Sequence, residues 1–183
     1  MEENLIIQCR KMHRASQKRV YELMAPKLYL TCKRYLKKEE EIEEVLTDAF
    51  YTIFTKISQL KENPAFEGWA RKITVNLCLL QLKRNVNFNL YLEDVSVQPL
   101  AENSNETAME EQDLLKLLDY LPEGAKTVFA LYAIEGYSHK EIAGQLGISE
   151  GTSKSQLNVS RTKLKALIEV YYNQKSVSYG SSK

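Results

Sequence analysis

The stretch from Gly136 to Ser149 constrains the fold more than any other part of the chain. Gly136 suits the left-handed residue that ends a helix. Two residues on, Ser138 can cap a new helix, and Glu141, three residues after it, completes a capping box. Tyr137 and Ile142 occupy the two positions of a hydrophobic staple around that cap. Ile142, Ala143 and Leu146 then turn inward, and Gly147 ends this short helix. Ser149 caps a longer one whose buried side carries Leu157, Leu164 and Ile168. A short helix, a glycine turn and a longer helix make a helix-turn-helix.

The second of these helices offers Thr152, Lys154, Ser155, Asn158 and, one turn on, Arg161 on its outer N-terminal face. These side chains can hydrogen-bond base edges or phosphates. Residues 149–166 hold the bases Lys154, Arg161, Lys163 and Lys165 against the single acid Glu150, a basic patch in a chain of net charge +1. Pattern alone leaves an alternative open, a capped helical hairpin with a solvated polar face. A protein that grips nucleic acid by charge alone would be far more basic. DNA binding here must rest on the local patch, or on a partner that supplies the remaining grip.

Elsewhere the chain reads as helix throughout, and with 7 Gly and 4 Pro in 183 residues the expected fold class is all-α. From Glu39 to Ile57, the residues Ile42, Val45, Leu46, Ala49, Phe50, Ile53, Phe54 and Ile57 fall at three-four spacing on one buried face. Glu43, Glu44, Thr47 and Asp48 then lie opposite, where the helix dipole favours acids near the N-terminus. Residues 16–36 form a second helix with Val20, Leu23, Met24, Leu28, Cys32 and Tyr35 inward, and Pro26 predicts a kink or break near Met24–Ala25. A third runs from Phe66 to Arg84 with Phe66, Trp69, Ile73, Leu77 and Leu80 on its core face, after the polar loop SQLKENPA.

Residues 85–112 break the pattern, with six acids, five Asn, Pro99 and no Lys or Arg. They read as an acidic flexible linker between two small helical domains, 1–84 and 113–173, with a disordered tail at 174–183. Cys9, Cys32 and Cys78 show neither metal-ligand nor disulfide-framework spacing. The N-terminus lacks the basic and apolar regions of a leader, and no stretch approaches the ~20 apolar residues of a membrane span. A cytoplasmic protein is expected. His13 and His139 stand alone, and no paired-carboxylate motif or phosphate-binding glycine loop occurs, which argues against an enzyme. No cofactor, metal site or small-molecule substrate is expected.

The string EGYSHKEIAGQLGISEGTSKSQLNVSRTKLKAL, Glu135–Leu167, resembles region four of the ECF-type RNA polymerase sigma factors. EEVLTDAFYTIFTKI (Glu43–Ile57) resembles their region 2.2, and FEGWARKITVN (Phe66–Asn76) their regions 2.3 to 2.4. The helix-turn-helix string is shared with response-regulator output domains, whereas its combination with the upstream FxGWxxxIxxN is highly specific.

The resemblance implies a non-enzymatic specificity subunit that directs core polymerase to promoters. Glu43, Glu44, Thr47 and Asp48 would dock the clamp helices of the largest polymerase subunit; read alone, they are an ordinary solvated face. The loop Ser58–Ala65, with Lys61 and Asn63, and the helix carrying Arg71, Lys72, Asn76, Lys83 and Arg84 would hold the melted −10 strand. Read alone, Asn76 is equally a polar contact inside the domain, and Trp69 a core residue. Lys154, Ser155 and Asn158, with Thr152 and Arg161 beside them, match positions that approach the −35 duplex, and Tyr132 and Ser138 are placed for phosphates. Two positions depart from the common pattern: Val159 stands where many relatives have a base, and Leu80 where an acid is common. Val159 can meet a thymine methyl but cannot hydrogen-bond guanine, so a different −35 preference is expected. The acidic linker would thread toward the polymerase active centre. An anti-sigma factor, often membrane-bound in the family, is an expected partner. The rival reading is a helix-turn-helix regulator that works without polymerase.

Overall fold

A computed structural model of the chain describes residues 3–84 and 117–180, with side chains from 4–84 and 117–170. The expected linker at 85–112 lies outside the described residues, as does the end of the tail at 181–183. Every element among the described residues is helical. The chain divides into two compact units, Met1–Asn85 and Val86–Lys183.

The first unit holds α1 (Glu3–Arg10), α2 (Arg14–Lys33), α3 (Glu39–Lys56) and α4 (Phe66–Arg84). In α3 the apolar stripe does what its spacing demands. Ile42, Val45, Ala49, Phe50 and Ile53 are buried, and Leu46 and Phe54 are half-buried against the core. Glu39, Glu40 and Glu41 fill its first turn, where acids oppose the helix dipole favourably. The core of this unit gathers Ile6 and Cys9 of α1, Val20, Met24 and Leu28 of α2, Phe50 and Ile53 of α3, and Phe66 and Ala70 of α4. Helix α1 is an element the periodicity reading does not contain. Cys9, Cys32 and Cys78 are all buried and unbridged.

Three sequence expectations for this unit fail. The break near Met24–Ala25 does not occur, and α2 runs uninterrupted through Pro26. Pro26 removes one backbone bond, but it sits on the exposed side. The stripe Val20, Met24, Leu28 and Cys32, buried at four-residue spacing, seals the helix against its neighbours across the defect. Leu23, expected inward, is 39% exposed. The core face of α4 is also rotated from the expected one. Phe66, Ala70, Thr74 and Cys78 line it with Val75, Leu79 and Leu82, while Leu80 is 49% exposed. Trp69, Ile73 and Leu77 lie only half-buried at its margin. The small residues let α4 pack against both α2 and α3. Thr74 is accommodated because its hydroxyl donates to the Ala70 carbonyl at 3.0 Å.

The second unit begins, among described residues, with a turn at Leu118–Tyr120. Helix α5 (Glu123–Phe129) follows and continues as a π-turn over Ala130–Ile134. Helices α6 (His139–Leu146) and α7 (Glu150–Gly180) complete it. Leu121, Val128, Leu131, Ile142, Leu146 and Leu157 form the apolar centre. The α5–α7 contact is built on small polar groups: the fully buried Ser160 hydroxyl lies 2.7 Å from the Ala125 carbonyl and 2.8 Å from that of Gln156. Lys126, 5% exposed, reaches Asp119 at 2.6 Å. Helix α7 runs on beyond residue 173, where the tail was expected, to Gly180. It meets no Gly or Pro between Gly151 and Gly180 that would stop it. Among the described residues no helix is long and apolar enough to cross a membrane.

Candidate nucleic-acid interface

The turn chemistry of the second unit sets α7 on α6. Gly136 at φ 77° and Gly147 at φ 73° take the left-handed conformation, which a side chain would strain. The Gly147 and Ile148 amides both donate to the Ala143 carbonyl, at 2.9 and 3.1 Å, closing α6. At its start the Ser138 amide donates to the Glu141 carboxylate at 2.8 Å, while Ser138 Oγ accepts from the Glu141 amide at 3.3 Å. The Ser138 hydroxyl also donates to Glu141 Oε2 at 2.7 Å, so its proton is engaged within the cap. Ser138→Ala is therefore expected to cost about 1 kcal/mol of stability. Urea unfolding followed by circular dichroism checks it, as a lower midpoint at unchanged slope. Ser149 caps α7, accepting from the Thr152 amide at 2.9 Å.

On α7 the structure sorts the expected residues into a face and a flank. Lys154, Ser155, Asn158 and Arg161 are exposed together, while Ser153, Gln156, Leu157 and Ser160 are buried behind them. Gly151, Thr162 and Lys165 share the outer face; Gly151 and Thr162 were not singled out from sequence, and Lys165 only as part of the basic patch. Thr152 and Val159 are half-buried at its edge. Tyr132 joins the face from the π-turn: the Arg161 guanidinium lies 5.8 Å from its ring centroid. Behind it Tyr132 stacks on His139, with centroids 4.7 Å apart, and His139 Nδ1 lies 2.9 Å from Ser153 Oγ. His139 is thus a supporting residue that sequence reasoning passed over. Its one signal was its place directly after the cap.

In the first unit, Glu43, Glu44, Thr47 and Asp48 all lie exposed on the outer side of α3. The Thr47 hydroxyl donates to the Glu43 carbonyl at 2.9 Å. Along α4, Lys72, Asn76, Leu80 and Lys83 are exposed and share one side by their four-four-three spacing. Asn76 is thus on the surface. Arg71 is exposed but lies off that side, on the flank where Val75, Cys78 and Leu82 turn inward. Arg84 pairs with Glu44 at 3.6 Å, so the basic end of α4 meets the acidic face of α3. In the loop between α3 and α4, Lys61 is exposed and Asn63 half-buried.

Two family models match the chain in order. One, described as Sigma-70 region 2, covers residues 20–87, and the other, Sigma-70, region 4, covers 111–164. Over 135 residues the chain is 30% identical to the ECF RNA polymerase sigma factor SigM of Mycobacterium tuberculosis, a match covering 72% of this chain and 66% of the relative. The chain belongs to the ECF-type sigma factors. This sigma factor is also 27% identical, over 147 residues, to the ECF sigma factor SigE of Mycolicibacterium smegmatis, covering 77% of the chain and 57% of SigE. It is 27% identical over 154 residues to the sigma factor SigZ of Bacillus subtilis, covering 81% of the chain and 87% of the relative. The chain thus spans less than two thirds of the length of SigE and SigM. Among solved structures its fold resembles CnrH in complex with the cytosolic domain of CnrY. The TM-score is 0.52 at 19% identity, covering 92% of this chain and 97% of that one.

Proposed function

We propose that the chain is an alternative sigma subunit that binds core RNA polymerase and directs it to promoters. Glu43, Glu44, Thr47 and Asp48 dock the clamp helices of the largest polymerase subunit. The exposed face of α7 reads the −35 duplex in the major groove, using Lys154, Ser155, Asn158 and Arg161, with Tyr132 at its edge. Lys72, Asn76 and Lys83 on one side of α4, with Arg71 and Arg84 flanking and Lys61 and Asn63 in the preceding loop, hold the melted −10 strand. Extruded bases need a pocket and the backbone needs cations, and this side of the unit supplies both residue types. The polymerase supplies the catalysis, so the chain itself needs no enzymatic residues, metal or cofactor. It works in the cytoplasm, with an anti-sigma factor as a further partner.

The observation that carries this reading is the coexistence of two outward faces in a chain of net charge +1: four exposed residues with three acids on α3, and four exposed residues on α7 that can meet bases or phosphates. So neutral a chain cannot hold DNA by charge alone and needs the grip of a larger assembly. Purified protein added to sigma-free core polymerase is expected to yield promoter-specific transcripts. Specific duplex binding without polymerase, and no transcripts with it, would instead establish the operator-binding regulator.

A further inference from the structure

The loop between α3 and α4 is tied down from an unexpected quarter. Arg10, the last residue of α1, reaches across fifty positions of sequence to donate from Nη2 to the Leu60 carbonyl at 2.6 Å. Leu60 is itself buried, in the same apolar cluster as Ile6 and Cys9 of α1 and Ile57 and Phe66 at the two ends of the loop. Around it Ser58, Gln59, Lys61, Glu62, Pro64 and Ala65 are exposed. The loop's own backbone bonds are short turn bonds such as Leu60 to Ile57 at 3.3 Å, Ala65 to Glu62 at 3.1 Å and Phe66 to Asn63. Polar loops of this kind wander unless something outside fixes them. A short charge-assisted bond to the Leu60 carbonyl, backed by the buried Leu60 side chain, does so.

Helix α1 is in turn anchored. Its chain reverses into α2 through Met12 in the left-handed region at φ 59°. The Met12 and His13 amides donate back to the Cys9 and Gln8 carbonyls at 3.0 and 3.1 Å, and His13 Nδ1 lies 2.9 Å from Ser16 Oγ. A bulky residue holds φ > 0 only where its surroundings over-determine it. Arg10 therefore projects from a fixed platform.

We propose that Arg10 is a positioning residue for −10 specificity: it fixes the Ser58–Ala65 loop in the shape that selects the captured base, without contacting DNA. This rests on the reading of that loop as part of the −10 strand holder. A loop ordered in advance discriminates between bases, because the wrong base cannot reshape its pocket at little cost. The competing role for an arginine here is a phosphate contact, which predicts a different result.

The test uses holoenzyme assembled from core polymerase and the full chain, on a promoter it transcribes and on single-base variants of the −10 and −35 elements. Strand opening is read by permanganate reactivity of unpaired thymines. Arg10→Ala is expected to cut discrimination among −10 variants by about tenfold. Discrimination among −35 variants and the salt dependence of binding should stay as in the parent. Arg10→Lys, which keeps the charge but not the reach and geometry of the guanidinium, should fall between and covers the case in which Arg10→Ala folds poorly. Unchanged −10 discrimination in a folded variant overturns the proposal. So does a uniform loss over all sequences with a shallower salt slope, the mark of a phosphate contact. Absence of transcripts from the parent would sink the functional reading itself, and is thereby distinct from failure of the Arg10 proposal.

Discussion

Replacing Phe66 by alanine is expected to unfold most of the first unit's margin of stability, at about 3–5 kcal/mol. Phe66 is fully buried where α4 begins, among Ile6, Leu60 and Ala70, and its ring lies 6.2 Å from that of Trp69. Removing it deletes the wedge that joins the loop, α1 and α4, and leaves a cavity whose walls belong to separate helices. A domain of this size has on the order of 5–10 kcal/mol to lose. A deficit of that size lowers the melting temperature by roughly 10 °C or more. Trp69 is the only tryptophan in the chain and sits beside the lesion, so its fluorescence reports this unit. A melting midpoint by Trp69 emission within a few degrees of the parent would show that the core closes over the gap.

The sequence discloses what is chemically local and hides what depends on neighbours. The capping box at Ser138–Glu141, the left-handed Gly136 and Gly147, and the cap at Ser149 are legible because each places specific atoms within three or four residues of one another. The buried stripe of α3 is legible because it is apolar on a helical period. The buried side of α7 is not, since Ser153, Gln156 and Ser160 carry much of it. They are inside because α5 comes close enough to take the Ser160 hydroxyl. On α4 the large residues drew the expected face toward Trp69 and Leu80. The actual face runs through Ala70, Thr74 and Cys78, whose small volumes matter only once α2 and α3 are in place. Among its described side chains helix α1 offers Ile6 and Cys9 as fully buried residues, too few to register as a period. Arg10 looked like any surface base until the fold put the Leu60 carbonyl beside it.

On α7, Asn158→Ala and Lys154→Ala are expected to separate reading from gripping. Both residues are exposed on the outer face, so neither variant should change stability beyond about 0.5 kcal/mol. Asn can pair two ways with the major-groove edge of adenine, an arrangement worth about 1–3 kcal/mol against the wrong base. Asn158→Ala should therefore weaken transcription from the preferred promoter by roughly five- to a hundredfold and level the preference at one −35 position. Lys154 offers a compact charge suited to phosphate, so its loss should weaken all sequences alike and lower the salt slope by about 1. Arg161 should behave differently from both. Its guanidinium lies over the Tyr132 ring, which stacks on His139, so its direction is set by the π-turn before α6 as well as by α7. Val159, half-buried at the edge of the face, can add a methyl contact at most from one side. A library of −35 variants transcribed by each holoenzyme checks the pair. A uniform loss in Asn158→Ala would remove Asn158 from the reading residues, and altered selectivity in Lys154→Ala would make Lys154 one of them.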